Sequence, residues 1–176
     1  YDSVSQQKTT NAVVQLNPLM DMKMNGMTHQ HAAPKEDPQI AASGLLEGAV
    51  VFTMPTSETG TWQLAIAVDN KQNQHSGTAL LPVTVKQNPE NNVKVITTTT
   101  DKTTLIITWI MPPKLVVGAN DFICTVHRKQ DGMHFPADSS YKLTITPEMP
   151  SMGHGSPNNI NPVHTGKGHY KGQVNF

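Results

Sequence analysis

Hydrophobic and polar residues alternate along several short runs of this chain. The two clearest runs are Gly-Thr-Trp-Gln-Leu-Ala-Ile-Ala-Val at residues 60–68 and Phe-Ile-Cys-Thr-Val at residues 122–126. A period of two places every second side chain on the same face of a β-strand. We therefore predict strands at both places. The side chains predicted to line the cores are Trp62, Leu64, Ile66, Phe122, Cys124 and Val126.

Shorter runs of the same kind predict further strands at residues 79–86, 93–98 and 105–111. Gly, Pro and Asn residues separate these runs at the spacing of a β-sandwich, and no stretch has a helical period of useful length. The predicted fold class is therefore all-β, built of antiparallel sandwich domains. Residues 21–43 are the least strand-like, and we expect a long loop there, with a counterpart at residues 151–166.

Two blocks of sequence recur in the same order, which predicts two copies of one domain. We place these two tandem β-sandwiches at residues 1–88 and 89–176. Each copy lacks strands that the other has, so each is expected to be incomplete, with the missing strands lying beyond this sequence. The matched elements are Pro18 with Pro147, Met20 with Met149, Met27-Thr-His29 with Met152-Gly-His154, and Gly48-Ala-Val-Val-Phe52 with Gly172-Gln-Val-Asn-Phe176.

Composition narrows the classes of function. The 176 residues include 13 basic and 13 acidic side chains, so the net charge is about zero. Nucleic-acid binding needs a basic surface, and this balance argues against it. No apolar run reaches the length of a transmembrane helix. Cys124 alternates with Phe122 and Val126, which predicts a buried and unreactive thiol.

Methionine and histidine are concentrated in segments that are otherwise too polar to be core. Thioether and imidazole groups together are ligands that suit copper, and thioethers discriminate against zinc and magnesium. An alternative is that Met149 and Met152 pack at the end of the sandwich while His154 makes a structural hydrogen bond. The candidate copper ligands are Met20, Met22, Met24, Met27, His29 and His31 in the first repeat, and Met149, Met152, His154, His164 and His169 in the second.

The second repeat resembles the FixH/YtkA-like family. The resemblance lies in Pro-Glu-Met-Pro-Ser-Met-Gly-His-Gly at residues 147–155 and Gly-His-Tyr-Lys-Gly-Gln-Val-Asn-Phe at residues 168–176. The family's usual continuation, a strand with a tryptophan, is visible only in the first repeat, at residues 60–64. The first repeat departs from the pattern at Leu45-Leu46, where glycine and tyrosine are expected.

This resemblance implies immunoglobulin-like sandwiches in the bacterial cell envelope, in the periplasm or as an outer-membrane lipoprotein. Members of the family are associated with copper and with the assembly of copper-containing oxidases, and tandem copies of this kind are similar to envelope lipoproteins of Bacteroidota. The partners it implies are other envelope or membrane proteins. A membrane tether upstream of Tyr1 would be compatible with it.

The motifs of common enzymes are missing from the sequence. It has no nucleophile elbow, no Gly-rich phosphate loop and no paired His-Glu motif of zinc hydrolases, so we predict a protein without catalytic activity. The main hypothesis is an envelope protein whose Met/His loops bind copper, in copper handling or oxidase assembly. The alternative is a structural or accessory subunit of an envelope complex with no metal role. His127 and His134 flank an Asp131-Gly132 turn, where we expect a surface cross-strand pair.

Overall fold

The computed structural model describes residues 12–71, 74–151 and 153–176. Thirteen strands and no helix occur among these residues, and every ladder between them is antiparallel. The prediction of an all-β fold is confirmed. The described ranges hold no helix of the length and apolar character needed to cross a membrane. The chain divides into two compact units, Tyr1–Gln87 and Asn88–Phe176.

The first unit consists of a four-stranded sheet and a separate hairpin. The sheet has the order β2-β1-β5-β6, and β3 pairs with β4 in the hairpin. Its core is formed by Met20, Ala33 and Trp62, and the ring of Phe52 meets Trp62 edge to face at 5.1 Å. The strands are β1 (Ala12–Met24), β2 (Met27–Ala32), β3 (Lys35–Ile40), β4 (Leu46–Val50), β5 (Gly60–Asn70) and β6 (His75–Val83).

Strand β1 runs through Pro18 without interruption. A proline in a strand has no amide hydrogen to give to a neighbour. The amide of Leu16, two residues earlier on the same side of the strand, donates to Asp37 Oδ1 at 2.8 Å rather than to a ladder. On that side β2 begins to pair only at Leu19, opposite Ala32. Pro18 therefore stands where no ladder hydrogen bond is needed.

The second unit is built on a five-stranded sheet of order β12-β13-β9-β8-β7, with a small hairpin of β10 and β11. Leu105, Cys124, Val126 and Tyr170 form its core. Residues 141–147 cross this core without belonging to a strand. The strands are β7 (Val93–Thr97), β8 (Thr104–Met111), β9 (Ala119–Lys129), β10 (Glu148–Met149), β11 (His154–Gly155), β12 (Ile160–Gly166) and β13 (His169–Asn175).

Three of the four residue pairs of the β3–β4 hairpin have counterparts in the β12–β13 hairpin, which shifts register a second time between His164 and Gly166. In these pairs each residue of the second hairpin lies 124 positions beyond its counterpart in the first, and both ladders shift register at the same place. That place is Asp37-Pro38 in one hairpin and Asn161-Pro162 in the other. The corresponding pairs are Glu36–Ala49 and Ile160–Gln173, Gln39–Glu47 and Val163–Lys171, and Ile40–Leu46 and His164–Tyr170.

The residue before the proline at the register shift, Asp37 or Asn161, binds a backbone amide of the segment beside the hairpin in both units. Asp37 Oδ1 accepts a hydrogen bond from the amide of Leu16 at 2.8 Å, and Asn161 Oδ1 accepts one from the amide of Ile145 at 3.0 Å. Both acceptors are short side chains next to a proline, placed by a bulge that turns them out of the ladder. Residues 141–149 therefore correspond to the part of β1 from Ala12 to Met20.

A glycine opposite this bulge lets the two strands of each hairpin approach closely. A Cβ built on Gly172 would lie 2.5 Å from the carbonyl oxygen of Ile160 and 2.9 Å from the nitrogen of Pro162. A Cβ on its counterpart Gly48 would lie 2.8 Å from the carbonyl oxygen of Glu36. Only glycine fits at either position without moving backbone atoms, which explains why the repeat has glycine at both.

Two expectations about local structure are wrong. Residues 21–43 do not form a long loop, because they contain the end of β1, all of β2 and all of β3. The counterpart expected at residues 151–166 contains β11 and β12. His127 and His134 do not form a surface pair. His127 is only 1% exposed and is bridged to Ala137, whereas His134 Nδ1 contacts Asp131 Oδ2 at 2.8 Å. The turn at Asp131 binds His134 locally instead of presenting it to the facing strand.

The close approach at Gly172 predicts the effect of a single methyl group. Replacing Gly172 with alanine should lower the free energy of unfolding by about 1–3 kcal/mol, the usual cost of overpacking. Gly77→Ala is the matched control, since a Cβ there meets nothing within 4 Å, and it should change stability by less than ~0.5 kcal/mol. Urea unfolding of both variants measures the difference. Equal stability of the two would contradict the account of the hairpin.

Candidate metal-binding hairpin

A tight turn at Asn25-Gly26 forms the β1–β2 hairpin. The two residues have φ angles of 51° and 76°, both in the left-handed region. Two consecutive positive φ angles belong to the type I′ turn, for which Asn-Gly is the preferred sequence because its twist matches that of the flanking strands. The turn brings Met24 directly opposite Met27 and so fixes the register of all the pairs that follow.

This register places every Met and His residue of the segment on one face of the hairpin. Residues directly opposite each other in an antiparallel ladder point to the same side, as do alternate residues of one strand. The other face is polar, and there Gln30 Nε2 donates to Asp21 Oδ1 at 2.8 Å. The facing pairs on the Met/His side are Met20 with His31, Met22 with His29, and Met24 with Met27.

Exposure rises along the hairpin towards the turn. Met20 is 2% exposed and lies opposite Trp62 of β5, so it belongs to the core and not to the expected exposed cluster. Met22 is partly buried against the same core and lies opposite Gly60, the first residue of β5. The hairpin extends beyond that strand, and Met24 and Met27 are 54% and 60% exposed.

Gly60 is a residue of the site that the sequence did not single out. A Cβ at this position would collide with the side chain of Met20. The glycine thus makes room for the side chain of Met20 at the point where β5 begins. Its position just before the alternating Thr-Trp-Gln-Leu run was visible in the sequence, but its pairing with Met22 depends on the register of two strands about forty residues apart.

The Met/His face has the chemistry of a soft-metal site. Directly opposed side chains have Cβ atoms about 4.5–5.5 Å apart, which lets the ends of long side chains converge on a common centre. Met22, Met24, Met27 and His29 supply three thioethers and one imidazole in two pairs that are neighbours on this face of the hairpin. Soft thioethers favour Cu(I), and imidazole also suits copper.

The second unit brings together a smaller set. Met149 lies opposite His154 in the β10–β11 ladder, and the amide of Gly153 donates to the carbonyl of Met149 at 3.0 Å. A shallow cavity of about 300 Å³ is lined by residues 148–150 and 153–155. His154 Nδ1 lies 3.1 Å from the carbonyl oxygen of Gly155. The candidate ligand Met152 lies outside the described residues.

His164 and His169 are not brought to this cavity. Both lie where β12 turns into β13, and β13 then runs for seven residues to Asn175, where Ser156 contacts its carbonyl oxygen. At about 3.3 Å per residue, the two ends of β13 are roughly 20 Å apart. His164 instead accepts a hydrogen bond from the amide of Gly168 at 3.2 Å and packs edge to face on Tyr170.

Groups of three or more His, Cys, Asp or Glu side chains that could hold a metal ion do not occur in the described parts of the chain. Comparison with protein-family models, with curated proteins and with solved structures gave no match.

The only cysteine is enclosed by the core of the second unit. Cys124 is 1% exposed, as predicted, and burial raises its pKa from 9.0 to about 11 because the thiolate would lose its hydration. The folded state therefore holds this proton more tightly than the unfolded state does. Its contribution to stability is present below pH 9.0 and is lost as the pH rises towards 11.

Alkylation tests the burial of this thiol. At about pH 8, where an ordinary cysteine is partly ionised, iodoacetamide should leave Cys124 unmodified in the folded protein. The same reagent should modify it rapidly in guanidinium chloride, which serves as the control. Mass spectrometry measures the adduct. Equal rates in the two conditions would show that the core around Cys124 is open to solvent.

Proposed function

We propose that this protein binds Cu(I) through Met22, Met24, Met27 and His29 and acts without catalysis in copper handling. The observation that carries this proposal is the register of the β1–β2 hairpin, which puts all four side chains on one face. The thioether-rich set supports copper over zinc, because soft sulfur ligands select Cu(I).

Exposure supports a binding role over a packing role for the outer methionines. Met24 and Met27 extend past the start of β5 and remain more than half exposed, so packing does not explain two large apolar side chains at this turn. Met20, in contrast, is fully packed under Trp62 and anchors the base of the hairpin. The proposed ligands thus stand on a rigid ladder with one end in the core and the other open to a partner.

An accessible site suits a protein that passes copper on. Ligands at the end of a hairpin can be approached by a donor or acceptor protein without any opening of the core. The resemblance of residues 147–155 and 168–176 to the FixH/YtkA-like family supports a place in the bacterial cell envelope and a role beside copper-containing oxidases. Met149 and His154, which face each other in the second unit, are proposed as a second and weaker site.

A conservative triple variant tests the proposed copper site of the β1–β2 hairpin. Changing Met22, Met24 and Met27 together to leucine keeps the apolar volume and removes the sulfur atoms. We expect this triple variant to lower the affinity for Cu(I) by at least about tenfold, since three of the four proposed ligands are lost. Competition with a chromophoric Cu(I) chelator under anaerobic conditions measures the affinity, and Zn(II) should compete poorly with the wild-type protein.

The matched control uses the opposite face of the same hairpin. Thr28→Ala and Gln30→Ala alter residues that alternate with the ligands, and this double variant should bind Cu(I) as the wild type does. Circular dichroism should show the same strand content in all three proteins. Unchanged affinity in the methionine variant would rule out the proposed site, and a wild type that binds no Cu(I) would leave the accessory-subunit hypothesis in its place.

A further inference from the structure

Two histidines alternate along β2, and only His29 belongs to the proposed Cu(I) ligands. His29 and His31 lie two residues apart, so both side chains project from the same face of the strand. Each residue of an antiparallel strand advances the chain by about 3.4 Å, which sets the two Cα atoms roughly 7 Å apart. Strand β2 is the outer strand of the order β2-β1-β5-β6, so the two histidines stand at an edge of the sheet.

The thioether that pairs with His31 across the hairpin is engaged elsewhere. Met20 lies opposite His31 in the ladder, but it is 2% exposed and packs in the core with Trp62. A Cβ built on Gly60 would lie 3.7 Å from the sulfur of Met20. Gly60 is the first residue of β5, and β5 lies on the side of β1 that is remote from β2. The sulfur of Met20 is therefore held on the β5 side, and His29 is the donor that stands next to His31.

Both imidazoles of this pair are available to a ligand. His29 is exposed and His31 is half-buried. Neither ring forms a hydrogen bond or an ion pair with a residue of the described chain. His134 differs from them, because its Nδ1 is held by Asp131 Oδ2 at 2.8 Å. The nitrogen lone pairs of His29 and His31 can therefore bind a metal ion without first giving up a contact within the described chain.

Two imidazoles on one strand face favour a divalent copper ion. Imidazole suits copper, nickel and zinc, and a given site generally binds Cu(II) most tightly of the divalent first-row metals. Cu(II) also accepts a square-planar or tetragonal set of nitrogen and oxygen donors, so two imidazoles with water in the remaining positions form a suitable site. Asp21, the carboxylate of this hairpin, lies on the other face, where Gln30 Nε2 donates to it at 2.8 Å. The ligands that the chain offers here are thus the two histidines.

We propose that His29 and His31 form a bis-imidazole site for Cu(II), beside the thioether-rich set for Cu(I). His29 belongs to both sets, so the two ions compete for it. Reduced copper lies towards the turn, where Met24 faces Met27, and oxidised copper lies towards the base of β2. The hairpin then accepts copper in either oxidation state. This site goes beyond the proposed Cu(I) function and stands without it, because it uses none of the methionines.

Titration of the full chain with Cu(II) tests the bis-imidazole site, with free glycine as the competing chelator. The electron paramagnetic resonance spectrum of the bound ion should show coupling to two imidazole nitrogens. His31→Asn should lower the affinity for Cu(II) by at least about tenfold, since one of the two ligands is lost. The same variant should bind Cu(I) as the wild type does, which also shows that its hairpin is folded. His75→Asn removes an exposed histidine from β6 and should leave the affinity for Cu(II) unchanged.

A second variant keeps the number of histidines and changes only the face on which one of them stands. Thr28 lies opposite Lys23 on the other face of the hairpin, so Thr28→His combined with His31→Thr separates the two imidazoles. This double variant should lose affinity for Cu(II) as His31→Asn does. Wild-type affinity in either variant, or a wild type that binds no Cu(II) against glycine, overturns the proposal. The Cu(I) proposal fails separately, through unchanged Cu(I) affinity in the triple methionine variant, which should bind Cu(II) normally.

Discussion

Strand β1 pairs with β2 along one edge and with β5 along the other, and the register of these two ladders decides which side chains meet. The ladder with β5 sets Met20 against Trp62 and so builds the core of the first unit. The ladder with β2 sets Met22 against His29 and Met24 against Met27. A slip of one residue would turn every one of these side chains to the other face. The turn at Asn25-Gly26 protects the register, because its backbone conformation admits few other residues.

Much of the fold could be predicted from the sequence, because alternation is a local signal. The runs containing Trp62 and Cys124 are strands with those residues buried, as predicted. The β1–β2 hairpin was missed, although Asn25-Gly26 lies between alternating methionines. Methionine is not a typical strand residue, and a proline at position 18 weakens the strand signal of the run before it. The proline is tolerated because β2 pairs with that side of β1 only from Leu19 onwards, and Asp37 accepts the hydrogen bond of the Leu16 amide there. This arrangement depends on contacts between residues far apart in sequence.

The candidate site was predicted in composition but not in geometry. Six candidate ligands of the first repeat do lie on one face, yet Met20 is packed in the core. His164 and His169 were grouped with Met149 and His154 by nearness in sequence, but an extended β13 carries them to the other end of the sheet. One equivalence between the two repeats was not recognised in the sequence, because Asp37 and Asn161 differ in charge. Both side chains accept a hydrogen bond from a backbone amide of the neighbouring segment.

The central claim is that the methionines near the Asn25-Gly26 turn bind copper together, as one site. Methyl signals of methionine in NMR spectra report on each sulfur separately, and an anaerobic titration with Cu(I) tests the claim most directly. The account predicts that the signals of Met22, Met24 and Met27 shift in parallel and saturate at one equivalent, while that of the buried Met20 moves little. Signals that shift independently, or that do not shift at all, would contradict it.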